Sequence, residues 1–75
     1  MNRDRRKRLR SIIEEAGKLA EALRELQQAE EDARDNMPEA LQGTDRYEEM
    51  DTNAGIIDEA ADEIENAVER LEEIV

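Results

Sequence analysis

The chain has 75 residues, 37% of them hydrophobic, with one aromatic side chain, Tyr47, and neither cysteine nor histidine. One small domain, 1–75, is the most this length supports; with a core of about 3–5 kcal/mol and no disulfide or zinc, self-association is the remaining route to reinforcement. A formal net charge of −11 disfavours nucleic acid and anionic lipid as partners and favours basic proteins.

The first ten residues run against that balance: Arg3, Arg5, Arg6, Lys7, Arg8 and Arg10 stand against Asp4 alone, a local +5. From about Arg3 to Asp35 the pattern predicts a helix whose apolar residues step alternately by three and four: Leu9, Ile12, Ala16, Leu19, Leu23, Leu26 and, after Glu30, Ala33. Gly17 falls outside this stripe and costs roughly 1 kcal/mol relative to alanine without disturbing it. Asn36, Met37 and Pro38 end the helix, because the residue before a proline is pushed out of the α region. Pro38 can open a short turn through Leu41, and Gly43 suits a left-handed stop. Thr44, or Asp45 with Glu48 as a capping box, then starts a second helix over about 45–75. Its stripe is Tyr47, Met50, Ala54, Ile57, Ala61, Ile64, Val68 and Leu71, and it carries twelve acids against Arg46 and Arg70, a balance of −10.

Two matched helices joined by a turn over 36–44 predict an all-α fold, an antiparallel two-helix coiled-coil hairpin. The stripes pair when residue numbers add to 80: Leu9 with Leu71, Ile12 with Val68, Ala16 with Ile64, Leu19 with Ala61, Leu23 with Ile57, Leu26 with Ala54, Ala33 with Tyr47. Every pair sets an a position opposite a d position, as an antiparallel seam requires. Basic residues at the start of the first helix and Glu69, Glu72 and Glu73 at the end of the second oppose their helix dipoles. The hairpin would answer this by bringing Arg6 to Glu72 and Arg3 or Arg5 to the terminal carboxylate, at about 0.2–1 kcal/mol per exposed pair.

The flanks of the seam are unequal. Asp51, Asp58, Glu65 and Glu72 line one edge of the second stripe, while Asn53, Ala60, Ala67 and Ile74 line the other, where they would face Ala22 and Ala29 of the first helix. Ile13 and Ala20 broaden the first helix on its other side. A face wider than a two-stranded seam implies further neighbours. The expected assembly is a homodimer of hairpins in a four-helix bundle, with Ala22, Ala29, Ala60, Ala67 and Ile74 at the dimer face.

Catalysis has little to work with. There is no histidine or cysteine, no glycine-rich phosphate loop and no serine with a base, so no enzyme activity and no cofactor are expected. Asp58, Glu59, Asp62 and Glu63 form two i,i+4 carboxylate pairs; diverging helical side chains are poor ligands for hard cations, so no metal is expected there. The same acids repeat about every 6 Å along a helix, near the spacing of phosphates on a nucleic-acid strand, and could present an acidic mimic to a basic groove. Glu30 interrupts the seam opposite Met50, either fixing register or reaching solvent. Met37 and Leu41 in the long connector either cap the core or offer an apolar tip to a partner. The basic arm could contact phosphates, although it lacks aromatic residues for base stacking. No apolar run approaches the roughly 20 residues of a membrane span, and no signal-peptide segment follows the basic start, so a soluble, cytoplasmic protein is expected.

Arg5-Arg6-Lys7-Arg8-Leu9, an acidic helix, the turn Asp35-Asn36-Met37-Pro38-Glu39-Ala40-Leu41-Gln42, then Arg46 and Glu48-Glu49-Met50 together resemble small acidic helical-hairpin proteins of bacterial prophages and mobile elements. The turn is the specific part of the resemblance. It implies a bacterial, phage-associated setting and carries over no functional residue. The expected role is a non-enzymatic protein–protein interaction module, structural or adaptor in kind. The alternatives are an acidic inhibitor of a basic nucleic-acid-binding protein, such as a host defence nuclease, and nucleic-acid contact by the arm.

Overall fold

A computed structural model describes residues 1–75. Helix α1 spans Arg3–Asp35, a single 3₁₀ turn spans Glu39–Leu41, and helix α2 spans Asp45–Glu72. Asn2 starts α1: its side-chain oxygen accepts from the Arg5 N–H at 2.8 Å, satisfying one of the donors a helix start leaves open. Thr44, not Asp45, caps α2, its hydroxyl accepting from the Tyr47 N–H at 3.5 Å and donating to the Leu41 carbonyl at 2.6 Å. Asp45 and Glu48 therefore sit in the first turn, where the helix dipole favours negative charge. Gly43 lies between turn and cap at φ 85°, a left-handed conformation that side chains with a Cβ rarely adopt. The second helix stops at Glu72 rather than running to Val75.

The molecule is an antiparallel hairpin measuring 60 × 14 × 12 Å. Its radius of gyration, 17.3 Å, exceeds the about 11 Å of a compact domain this long. Neither helix is long and apolar enough to cross a membrane. Two helices touch along one line, and that line is built from small residues: Ala20, Ala54 and Ala61 are the buried side chains, with Ala61 fully covered.

Along α2 the inward row is Tyr47, Met50, Ala54, Ile57, Ala61, Ile64, Val68 and Leu71, the stripe its spacing predicts. Along α1 the row differs. Leu9, Ile13, Ala16, Ala20, Leu23, Gln27, Glu30 and Arg34 turn inward, while Ile12, Leu19, Leu26 and Ala33 are exposed. The helix is thus rotated by about 50° from the predicted face, given 100° per residue. The reason is steric and electrostatic together. This rotation brings Ala16 and Ala20 to the contact, where small side chains permit close approach, and lets Arg24 and Arg34 reach α2.

The pairing slides with the rotation. Arg24 bonds Asp58, Asp62 and Glu65, and Arg34 bonds Asp51, so cross-helix partners have numbers adding to between 82 and 89. The inward rows meet a to d when numbers add to 84, about one helical turn from the expected 80. Ile13 is then level with Leu71, Ala16 with Val68, Ala20 with Ile64, Leu23 with Ala61, Gln27 with Ile57, Glu30 with Ala54, and Met37 with Tyr47. Glu30 stands beside a small alanine, not Met50, and no buried polar atom lacks a partner. Leu9 is level with Val75, so residues 1–8 project beyond α2, and the expected pairs of Arg6 with Glu72 and of Arg3 or Arg5 with the terminus do not form.

This register has a direct test. Ala61→Leu overfills the line of contact and is expected to cost about 1–3 kcal/mol in chemical denaturation. Adding Leu23→Ala should recover much of that loss, whereas adding Leu19→Ala should not; rescue by Leu19→Ala would instead favour the pairing in which residue numbers add to 80.

Candidate interaction surfaces

The rotation gives the rod two unlike sides. One carries Arg24, whose guanidinium is the centre of the polar contacts between the helices. It donates to the side chains of Asp58 and Asp62, to Glu65 at 3.2 and 3.3 Å, to the Asp58 carbonyl at 3.4 Å and to Gln27 at 3.2 Å. Farther toward the turn, Arg34 donates to Asp51 at 2.6 Å and to Asp35 at 3.1 Å. Five donors in a rigid fork allow one arginine to hold several carboxylates at once. Hydrogen bonds to Glu65, then Asp62, hold the Arg24 guanidinium protonated well above the ordinary arginine range, and those to Asp35 and Asp51 do the same for Arg34. A base whose pKa rises on folding contributes stability that is fully present below its unfolded pKa and lost only as pH climbs through the folded value. These cations therefore give no switch near neutral pH.

This geometry divides the candidate acidic site. Asp58 and Asp62 are engaged by Arg24, while Glu59 and Glu63 are exposed and unpaired. No group of three or more acidic side chains converges as a metal site.

The opposite side is apolar. Ile12, Leu19 and Leu26 are 51%, 62% and 53% exposed, one per heptad along α1. Glu15 separates Ile12 from Leu19 in this row, Ala22 lies between Leu19 and Leu26, and Ala29 and Ala33 follow, all of them exposed. The same side of α2 presents exposed Ile56 and Ile74 and the half-buried Ala60 and Ala67. All five residues of the expected dimer face share this surface. The three-four pattern places its largest members, Ile12, Leu19 and Leu26, in the internal seam instead; their equal spacing of seven is the signal in the sequence for a separate row.

The remaining candidates lie at the two tips. Met37 is half-buried at the end of the seam, whereas Leu41 is exposed. Arg3, Arg5, Arg6, Lys7, Arg8 and Arg10 are all exposed and form no ion pair. A shallow groove lined by Met1, Arg5, Arg8, Leu9 and Ile12 runs along the projecting tip. No protein-family model, curated protein or solved structure matches this chain.

The central role of Arg24 is measurable. Arg24→Ala should lower the melting temperature more than Lys18→Ala, which removes only an exposed 3.7 Å pair with Glu14, and the difference should shrink in 1 M salt as screening weakens the ion pairs. Equal melting temperatures for the two variants would contradict the clamp.

Proposed function

We propose that this chain is a non-enzymatic protein–protein interaction module of a phage or mobile element, structural or adaptor in role, whose binding surface is the apolar side of the hairpin. The observation that carries this reading is the regular exposure of Ile12, Leu19 and Leu26 beside Ala22 and Ala29. Singly exposed apolar residues are ordinary, but a row running much of a helix and interrupted only by Glu15 marks a contact surface. Its form suits another helix, because large and small side chains alternate as ridges and gaps. The resemblance of the turn to prophage proteins supports the setting. The acidic-mimic reading draws less support, since Arg24 occupies Asp58 and Asp62.

Ile12→Glu with Leu26→Glu should leave the hairpin helical, because both side chains are already outside its seam. Immobilised wild-type protein is expected to retain helical partners from an extract of the cells that express it, and the double variant to lose them. The same proteins retained by both would sink this surface as the binding site.

A second reading draws on the unpaired arm. Five basic residues on the projecting helical tip, with Arg10 next to them, form a local site for a polyanion, and the acids of α2 do not neutralise it by contact. A mobility shift of nucleic acid at low salt should then disappear on Arg5→Glu with Arg8→Glu; no shift with the intact chain ends this reading.

A further inference from the structure

The occupant of the apolar side can be specified from three observations. The first is area. The chain exposes 5855 Å², against about 4,700 Å² for a compact monomer of 8.6 kDa. The excess of about 1,100 Å² is comparable with the about 800 Å² that each partner contributes to a standard interface.

The second observation is a second seam. On α1, Ile12, Glu15, Leu19, Ala22, Leu26, Ala29 and Ala33 step alternately by three and four, and on α2 so do Asn53, Ile56, Ala60, Glu63, Ala67, Arg70 and Ile74. Each row lies about 100° around its helix from the internal seam. That is close to the right angle between a helix's two neighbours in a square four-helix bundle. Both rows open on the same side of the hairpin, so a partner with two helices matches both together.

The third is charge. Residues 45–75 carry a balance of −10, while α1 is neutral, with nine bases against nine acids. Laying α2 on a second α2 would align like charge along its whole length. Laying α1 on the α2 of a second copy avoids this. It sets the leucines of one helix against the alanines of the other, brings Glu15 level with Arg70 of the second copy, and leaves Glu63, the remaining charge in these rows, level with the small Ala22.

We infer that a second copy of this chain packs face to face on the apolar side, α1 of each against α2 of the other, with both turns at the same end. This rests on the reading of that side as a binding surface and names its occupant. A two-fold axis along the rod preserves height, so Leu19 comes level with Ala67 of the second copy, and the two α2 helices stand on a diagonal.

Sedimentation equilibrium at about 50 µM in 150 mM salt should return twice the chain mass for the wild type and the single-chain mass for Leu19→Glu. Because a separated hairpin can also lose helicity, cysteine cross-linking supplies an independent measurement in a chain that has no native cysteine. Leu19→Cys mixed with Ala67→Cys should oxidise to a covalent heterodimer in several-fold higher yield than Leu19→Cys alone. A wild-type monomer overturns the inference, and efficient cross-linking of Leu19→Cys to itself overturns the arrangement. A monomer that still captures other helical proteins through Ile12 and Leu26 would leave the interaction reading standing while removing the second copy as occupant.

Discussion

Close approach of two helices along a line of alanines is the constraint on which the rest of this molecule depends. Ala20, Ala54 and Ala61 are its buried side chains, and none supplies much apolar area. Their contribution is proximity: beside them Leu23, Ile57 and Ile64 are half-buried, and long polar side chains span the joint. Larger residues along that line would separate the helices and weaken those contacts together. The arrangement also limits what a single hairpin can cover, since two cylinders share one strip of surface and leave the rest of each circumference open.

Polar contacts reinforce the same geometry from one edge. Arg24 and Arg34 cross to the acids on α2, and their positions select both the rotation of α1 and its height. Such partly exposed pairs are weak as sources of stability, yet a forked cation meeting several carboxylates is sensitive to alignment. A slip by one turn would leave Arg24 facing other side chains and return its acceptors to solvent. Register is therefore set by charge where the alanine contact alone would tolerate sliding.

Much of this was legible in the sequence, and the part that was not has a definite cause. Helix type, the stop at Asn36-Met37-Pro38, the left-handed Gly43 and the whole inward row of α2 follow from local rules. The inward row of α1 does not, because that helix bears overlapping three-four stripes that share Leu9, Ala16, Leu23 and Glu30. A rule based on hydrophobicity chooses the stripe with Ile12, Leu19 and Leu26; the hairpin uses the one with Ile13, Ala20, Gln27 and Arg34. Both satisfy the a-to-d requirement, one with numbers adding to 80 and the other to 84, so periodicity alone cannot separate them. Only contacts distant in sequence, such as Arg24 with Asp58, carry the difference. Alanines at both flanks stand out in any register, whereas the larger residues beside them fit the core pattern equally well and so are not legible as surface.

The slide in register also leaves the first eight residues without a neighbouring helix. A segment that short is marginal as an isolated helix, so its order rests on the Asn2 cap and on continuity with the rest of α1. Its amide protons will exchange with solvent before those of the paired region, and its five basic side chains will move as a loosely held group. The rod thus has a stiff shaft and a yielding, positively charged end, able to change shape to fit what it meets.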